Sequence, residues 1–313
     1  MRVFVAGATG AIGRPLVPQL VAAGHEVIGM TRREERADEI RAAGAGAVVC
    51  DVYDPEALNE AVAAAAPEAV VHALTALPPR FKPRSDYLAP TNRIRIEGTR
   101  NLLAAARAAG ARRVVAESVA FFYEPEGSRV KDEEAPLFDR APGNFAGALA
   151  ALVDLERQVL NAEDIEGLVL RFGWLYGPGT YYGPGGTQAE DTLKRRFPIV
   201  GAGTGTFSFV HVGDAAAAIV AALGGGAPGA YNVVDDEPAP LREWLPVYAE
   251  ALGAKPPRRV PVWLARLVAG RAMAEAAVEM RGASNAKARR ELGWEPAHPS
   301  WSQGFRDSLG SGR

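Results

Sequence analysis

Three glycines at fixed spacing, Gly7, Gly10 and Gly13, close the apolar run Arg2-Val3-Phe4-Val5-Ala6 and open a stretch of helical periodicity. This spacing suits the pyrophosphate of a dinucleotide. Gly7 permits the tight turn, Gly10 lets backbone approach the phosphates, and Gly13 lets the helix pack on the sheet. The helix N-terminus adds N–H groups and partial positive charge. Thr9, Ala11 and Ile12 complete the expected contacts of this loop. A turn that held no ligand would need fewer glycines, each of which costs backbone entropy. The second apolar run ends Met30-Thr31-Arg32-Arg33. An acid at this point would bind the ribose hydroxyls of NAD, whereas Arg32 pairs with a 2′-phosphate, so NADP is expected rather than NAD. The competing reading places Arg32 in a solvated charge run, Arg32-Arg33-Glu34-Glu35-Arg36. Asp51 and Val52, after the third run, should meet the adenine. Ala73 and Leu74, after the fourth, should line the same cofactor.

The groups that would move a proton are less plain. Phenol has a pKa near 10 and serves as an acid at neutral pH only when a cation lowers it, most simply a lysine one helical turn away. None of the eight tyrosines has a lysine four residues later. Ser118 and Tyr123, close after the fifth apolar run, are candidates beside a nicotinamide, with a cofactor hydrogen bond and core packing as their ordinary roles. Glu117, an acid at the end of a buried strand, could donate a proton if burial raises its pKa, or could pair with an arginine. Tyr181 and Tyr182 lie among glycines and prolines and are candidates for substrate contact. His72 reads as a satisfied core histidine and His211 as structural. No metal-ligand spacing and no Gly-x-Ser-x-Gly element is present.

These residues need a frame to hold them. Apolar runs of strand length alternate with helical patterns: 2–6, 26–30, 47–51, 69–73, 113–116 and 167–171 as strands, 12–23, 55–66, 92–109 and 145–161 as helices. Near-continuous apolar strands alternating with helices predict an α/β fold, a doubly wound parallel sheet of the Rossmann kind, with ligands at the carboxyl ends of the strands. Residues 1–175 read as the dinucleotide-binding domain. Residues 176–313 read as mainly a smaller C-terminal substrate-binding region, with about 206–234 returning to the sheet. Three long loops, 78–90, 123–144 and 176–198, follow strands and should converge on the ligand side. Trp244, Trp263, Trp294 and Trp301 lie in the C-terminal region and could line a pocket, with core packing the safer reading.

At 313 residues, 48% hydrophobic and a net charge of −2, the composition is that of a soluble globular protein with no bias toward nucleic acid or membrane. The single cysteine, Cys50, excludes an internal disulfide. No apolar run reaches the roughly 18 residues of a membrane span, and no leader precedes the first strand, so a cytoplasmic location is expected.

The ordered set of short motifs resembles the extended short-chain dehydrogenase/reductase family, the NAD(P)-dependent epimerase/dehydratase group. It comprises the glycine loop, Cys50-Asp51-Val52-Tyr53-Asp54, Val71-His72-Ala73, Glu97-Gly98-Thr99-Arg100-Asn101-Leu102-Leu103, Leu170-Arg171-Phe172, Tyr176-Gly177-Pro178-Gly179, Phe209-Val210-His211-Val212-Gly213-Asp214-Ala215, Tyr231-Asn232-Val233 and 286–294. The resemblance implies a small-molecule substrate, a substrate lid in the C-terminal region, an Asp214 that caps a helix, and a homodimer paired through the helices near Asn92 and Phe145. The second of these carries Leu149, Leu152, Val153, Leu155, Val159 and Leu160. The family's chemistry rests on a serine or threonine and a Tyr-x-x-x-Lys pair. Aligned on Glu156, the pair falls on Ala148 and Leu152, and the serine on Val119. The resemblance therefore implies an NADP-dependent oxidoreductase with non-standard catalytic residues, transferring hydride to or from a carbonyl-type substrate. The alternatives are a non-catalytic NADP-binding redox sensor or partner-binding protein, and a sugar-nucleotide epimerase or dehydratase.

Overall fold

A computed structural model describes residues 1–78, 80, 87–138 and 145–310. Seven strands form one parallel sheet: β1 (Arg2–Ala6), β2 (Glu26–Thr31), β3 (Gly46–Val49), β4 (Ala69–His72), β5 (Arg113–Val119), β6 (Glu166–Phe172) and β7 (Gly229–Val233). Their spatial order is β3-β2-β1-β4-β5-β6-β7, so the order reverses between β1 and β4. That reversal opens the crevice in which a doubly wound sheet binds its ligand, and the glycine loop follows β1 directly into it.

Strand alternation separates two apolar layers. Val3, Val5, Val71, Val115 and Leu170 face helices Gly13–Ala22 and Val212–Gly224 through Leu16, Leu20, Ala215 and Ile219. Phe4, Val70, Val114 and Val169 face helices Pro55–Ala65, Thr99–Ala108 and Phe145–Leu160 through Leu58, Val62, Leu102, Leu155 and Val159. Asp54 caps the first of these three, its carboxylate accepting from Ala57 N–H, with Pro55 as the first helical residue. A third layer is aromatic. Tyr176, Tyr182, Phe207, Phe209, Trp244, Tyr248 and Phe305 pack together under the C-terminal region.

Element boundaries differ from the sequence expectation in instructive places. The third strand stops at Val49, two residues short. The fifth runs on to Val119, because β6 continues to Phe172 and supplies partners for Glu117, Ser118 and Val119. Glu117 and Ser118 thus belong to the strand. The helix expected from Asn92 begins at Ala89, with Pro90 in its first turn, and is interrupted by a π-helical turn, Ile94–Gly98. The loop 176–198 contains a helix, Thr187–Leu193. Of the long loops, residues 79, 81–86 and 139–144 lie outside the described residues. No helix among the described residues is long and apolar enough to cross a membrane.

Candidate active site

The glycine loop is locked by backbone. Gly7 has φ +102°, and a Cβ there would sit 2.3 Å from the Ala73 carbonyl oxygen. A Cβ on Gly13 would sit 2.1 Å from the Gly7 carbonyl oxygen. Gly10 donates its N–H to Gly7 at 3.0 Å and is itself exposed, its open side toward the crevice. A Cβ on Gly179 would lie 4.0 Å from the Ala11 Cα, so the loop after β6 comes close to the glycine loop. At the end of β4, Leu74 N–H donates to His72 Nδ1, which leaves the ring proton on Nε2 for Thr99 Oγ1, 2.9 Å away. Burial, and then the nearby Arg95, push His72 down to about 4, so it is neutral and fixes Leu74 beside Ala73. His72 is thus a satisfied core histidine.

Arg32 is exposed just beyond β2, and none of the ion pairs of its neighbourhood, Arg14–Glu39, Arg36–Glu39 or Arg41–Asp38, involves it. Asp51 is exposed and accepts from Tyr53 N–H, while Val52 is buried beneath it, its carbonyl held by Asn101. A glycine loop that leaves no room for a Cβ at Gly7 or Gly13 fits the pyrophosphate of a dinucleotide, and Arg32, which has no ion pair among the described residues, stands at the end of β2.

Ser118, Arg171 and Asn232 stand in one row across β5, β6 and β7. The Ser118 hydroxyl donates to Glu156 Oε1 at 2.6 Å. Arg171 grips both oxygens of the same carboxylate, Nε to Oε1 at 3.0 Å and Nη2 to Oε2 at 2.7 Å. Arg171 Nη1 donates to the Tyr123 hydroxyl at 3.0 Å, and that hydroxyl donates to Asn232 Oδ1 at 2.7 Å. The Asn232 N–H goes to Glu133 at 2.6 Å. Burial opposes the charge on Arg171, but the two bonds to Glu156 outweigh it and hold the guanidinium above its ordinary range. Burial raises the Tyr123 phenol, and Arg171 only partly offsets this. Ser118 and Tyr123 are each about 1% exposed, with both hydroxyls committed inside this network. Glu117 points elsewhere. It is partly buried, and burial pushes it to about 7 against the pull of Arg95, which projects from the π-helical turn.

Beyond the carboxyl ends of β5 and β6 lies a cavity of about 560 Å³. Phe121, Phe122 and Trp174 form its inner end, with Phe121 and Trp174 stacked at 4.3 Å and 15°. Tyr181, Tyr182, Phe197 and Phe207 form its side, and residues of helices Val262–Ala269 and Arg271–Glu279 its outer wall. Tyr182 is nearly buried, edge-on to Trp174, Phe209, Trp244 and Tyr248. The Tyr181 hydroxyl donates to the Pro78 carbonyl, and Arg80 pairs with Glu190, so two of the long loops are tied over this side. A volume of this size, walled mainly by rings and aliphatic side chains, suits a drug-sized aromatic ligand.

The model of the NAD-dependent epimerase/dehydratase family matches residues 3–233. The chain belongs to that family. It is 49% identical over 311 residues to a 3-diazoavenalumate denitrifying reductase of a Streptomyces species, with 99% of each chain covered. It is 31% identical over 261 residues to the 4-hydroxy-2-methyl-3-oxo-4-farnesyl-3,4-dihydroquinoline-1-oxide ketoreductase of Stigmatella aurantiaca, covering 82% of this chain and 74% of the relative. Among solved structures, UDP-glucose 4-epimerase of Thermotoga maritima superposes with a TM-score of 0.79 at 21% identity, covering 99% and 98% of the two chains. A human epimerase family protein with NADPH superposes at 0.77 and 23%, covering 99% of both. These two likenesses speak for the fold. As a member of this family with reductases among its relatives, the chain is an NAD(P)-dependent oxidoreductase.

Within the family frame, sequence reading misses Arg171, Glu156 and Asn232 as one unit, because only strand pairing brings them together. It also places Asp214 incorrectly. The cap of helix Val212–Gly224 is the His211 ring, whose Nδ1 accepts from Gly213 N–H. The Asp214 carboxylate instead accepts the backbone N–H groups of Ala297 and His298 and a bond from the His298 ring, all at 3.0 Å. It fastens the C-terminal segment to helix Val212–Gly224. His211, Asp214 and His298 thereby form a close cluster, although no metal spacing is visible in the sequence. Of the tryptophans, Trp244, Trp294 and Trp301 are buried and Trp263 is 64% exposed. The one on the cavity wall is Trp174.

Proposed function

We propose that this enzyme binds NADPH and reduces an aromatic substrate without a protein-derived acid, replacing the diazo group of an arene with hydrogen. The reading rests on the alignment through Glu156, which sets Ala148 and Leu152 where the family's tyrosine and lysine would stand. The observation that carries it is that both are buried against Phe122 and Leu88 in an apolar cluster, which offers no group to give a proton. Hydride addition to a carbonyl leaves an alkoxide that needs a proton. Bound NADPH would supply hydride; at the ring carbon of an aryl diazonium this would form the C–H bond as the C–N bond broke and dinitrogen left with its electron pair, leaving no anion to protonate. The aromatic cavity and the name of the Streptomyces relative support the same substrate class.

In this reading Ser118 and Tyr123 are positioning residues. Their hydroxyls hold β5 to Glu156 and Asn232, and so fix Phe121 and Phe122 at the inner end of the cavity. Tyr181 and Tyr182 supply cavity wall. Gly7 and Gly10 admit the pyrophosphate, Gly13 lets the helix close on the loop, Ala73 and Leu74 line the cofactor, and Arg32 holds the 2′-phosphate.

The test is turnover of an aryl diazonium carboxylate with NADPH deuterated at the transferred position. The expected result is nitrogen release with deuterium on the ring carbon. Reduction of ketones with no nitrogen release overturns the reading, and would make Glu117 the proton donor to examine. Calorimetry addresses the cofactor separately. Arg32→Ala should weaken NADPH about ten- to a hundredfold, the worth of a charge-assisted phosphate contact, and leave NADH unchanged. Equal loss for both cofactors removes Arg32 from the 2′-phosphate.

A further inference from the structure

We infer that Arg196 receives the carboxylate of the substrate, making the ligand of the aromatic cavity an arylcarboxylate bound with its acid at Arg196 and its ring against Phe121 and Trp174. This rests on the reading of that cavity as the substrate chamber, and not on the diazo chemistry.

Two arginines line the cavity, and they differ in what holds them. Arg271 donates to Glu275 at 2.7 Å, and Arg266 shares that carboxylate at 3.4 Å. Arg196 has no side-chain hydrogen bond and no ion pair among the described residues, although Asp191 lies on the same wall. Its stem is nonetheless fixed. Arg196 N–H donates to the Asp191 carbonyl at 2.7 Å, and Arg195 holds a left-handed conformation, φ +53°, with its own side chain donating to the Pro256 carbonyl. Ile199 N–H then joins the Arg258 carbonyl at 2.8 Å. Phe197 and Pro198, the next two residues, are cavity wall. The guanidinium therefore stands on an anchored turn of the cavity wall, while Phe121 and Trp174 line the cavity where the chain leaves β5 and β6. Asp191, Glu275 and Glu279 also line the cavity, and of its two arginines Arg271 is already paired with Glu275, so Arg196 is the cation left to receive a carboxylate among the described residues. A planar guanidinium takes a carboxylate through two parallel bonds, so it sets orientation as well as affinity.

Calorimetry on the NADPH-loaded protein with 4-hydroxycinnamate and its methyl ester tests this. The wild type should bind the acid at least about tenfold more tightly than the ester, the scale of one charge-assisted bond. Arg196→Met, which keeps an unbranched apolar stem without the guanidinium, should equalise the two, and Arg196→Lys should restore part of the preference. An unchanged melting temperature of Arg196→Met establishes that the fold is intact. Equal binding of acid and ester by the wild type overturns the inference, as does a preference that survives in Arg196→Met, or binding of neither probe. A preference that depends on Arg196, found together with no nitrogen release from the diazonium, upholds the carboxylate site and rejects the proposed reaction.

Discussion

Glu117 sits in β5 with no hydrogen bond to its carboxyl among the described residues, and burial lifts it from the ordinary 4.5 to about 7 while Arg95 pulls the other way. The same burial brings Arg95 down to about 10. The folded protein therefore holds a proton on Glu117 that the unfolded chain releases near 4.5. Between those values the folded state binds more protons, so this group's contribution to stability falls as pH rises from 4.5 through 7. His72 acts in the opposite sense. Its folded value of about 4 lies below the unfolded 6.5, so its contribution is lost as pH falls through that window. Glu117→Gln removes only the first slope. In urea unfolding across this range, the variant should gain on the wild type steadily toward neutral pH. A difference that stays flat with pH would show that the carboxyl is not held neutral in the folded protein.

At the scale of elements, the cofactor half of the site is legible in the sequence because it is made by one contiguous segment under backbone constraint. Gly7 and Gly13 are required where a Cβ would collide with main chain, and that demand shows in seven residues. The strands are legible for a similar reason, since β1, β4 and β5 are buried on both faces and read as apolar runs. The buried polar row is not legible. Ser118, Arg171 and Asn232 come from three strands, and Glu156 from a helix between two of them. Each looks like an isolated polar residue until the β5–β6–β7 register aligns it. The misplaced Asp214 has the same origin. An acid in the first turn of a helix normally serves that helix, but its partners here are backbone groups more than eighty residues away in the chain. Contacts written into one segment can be read from residue types. Contacts between segments need the register first.

For the whole molecule, the remaining question is how helix Phe145–Leu160 divides its apolar side chains between the subunit and a second copy. The sequence counts six toward an interface. Four of them are used inside the subunit: Leu149 and Leu152 close on Phe122, and Leu155 and Val159 pack under β5 and β6. What remains outside is Val153 at 44% exposure and Leu160 at 37%, joined by Ile96 at 42% on the neighbouring π-helical turn, whose carbonyl Gln158 holds at 3.1 Å. We propose that two copies pair through this smaller patch. Because the patch is small, the dimer should dissociate on dilution rather than be obligate, since stable obligate interfaces are larger and more apolar than three side chains allow. Light scattering across a concentration series should show a monomer–dimer equilibrium. Val153→Glu should shift it to monomer without changing NADPH affinity, because the glycine loop and Arg32 lie on other elements. A monomeric mass for the wild type at every concentration would overturn the pairing. A dimer that survives Val153→Glu would place the interface on another face.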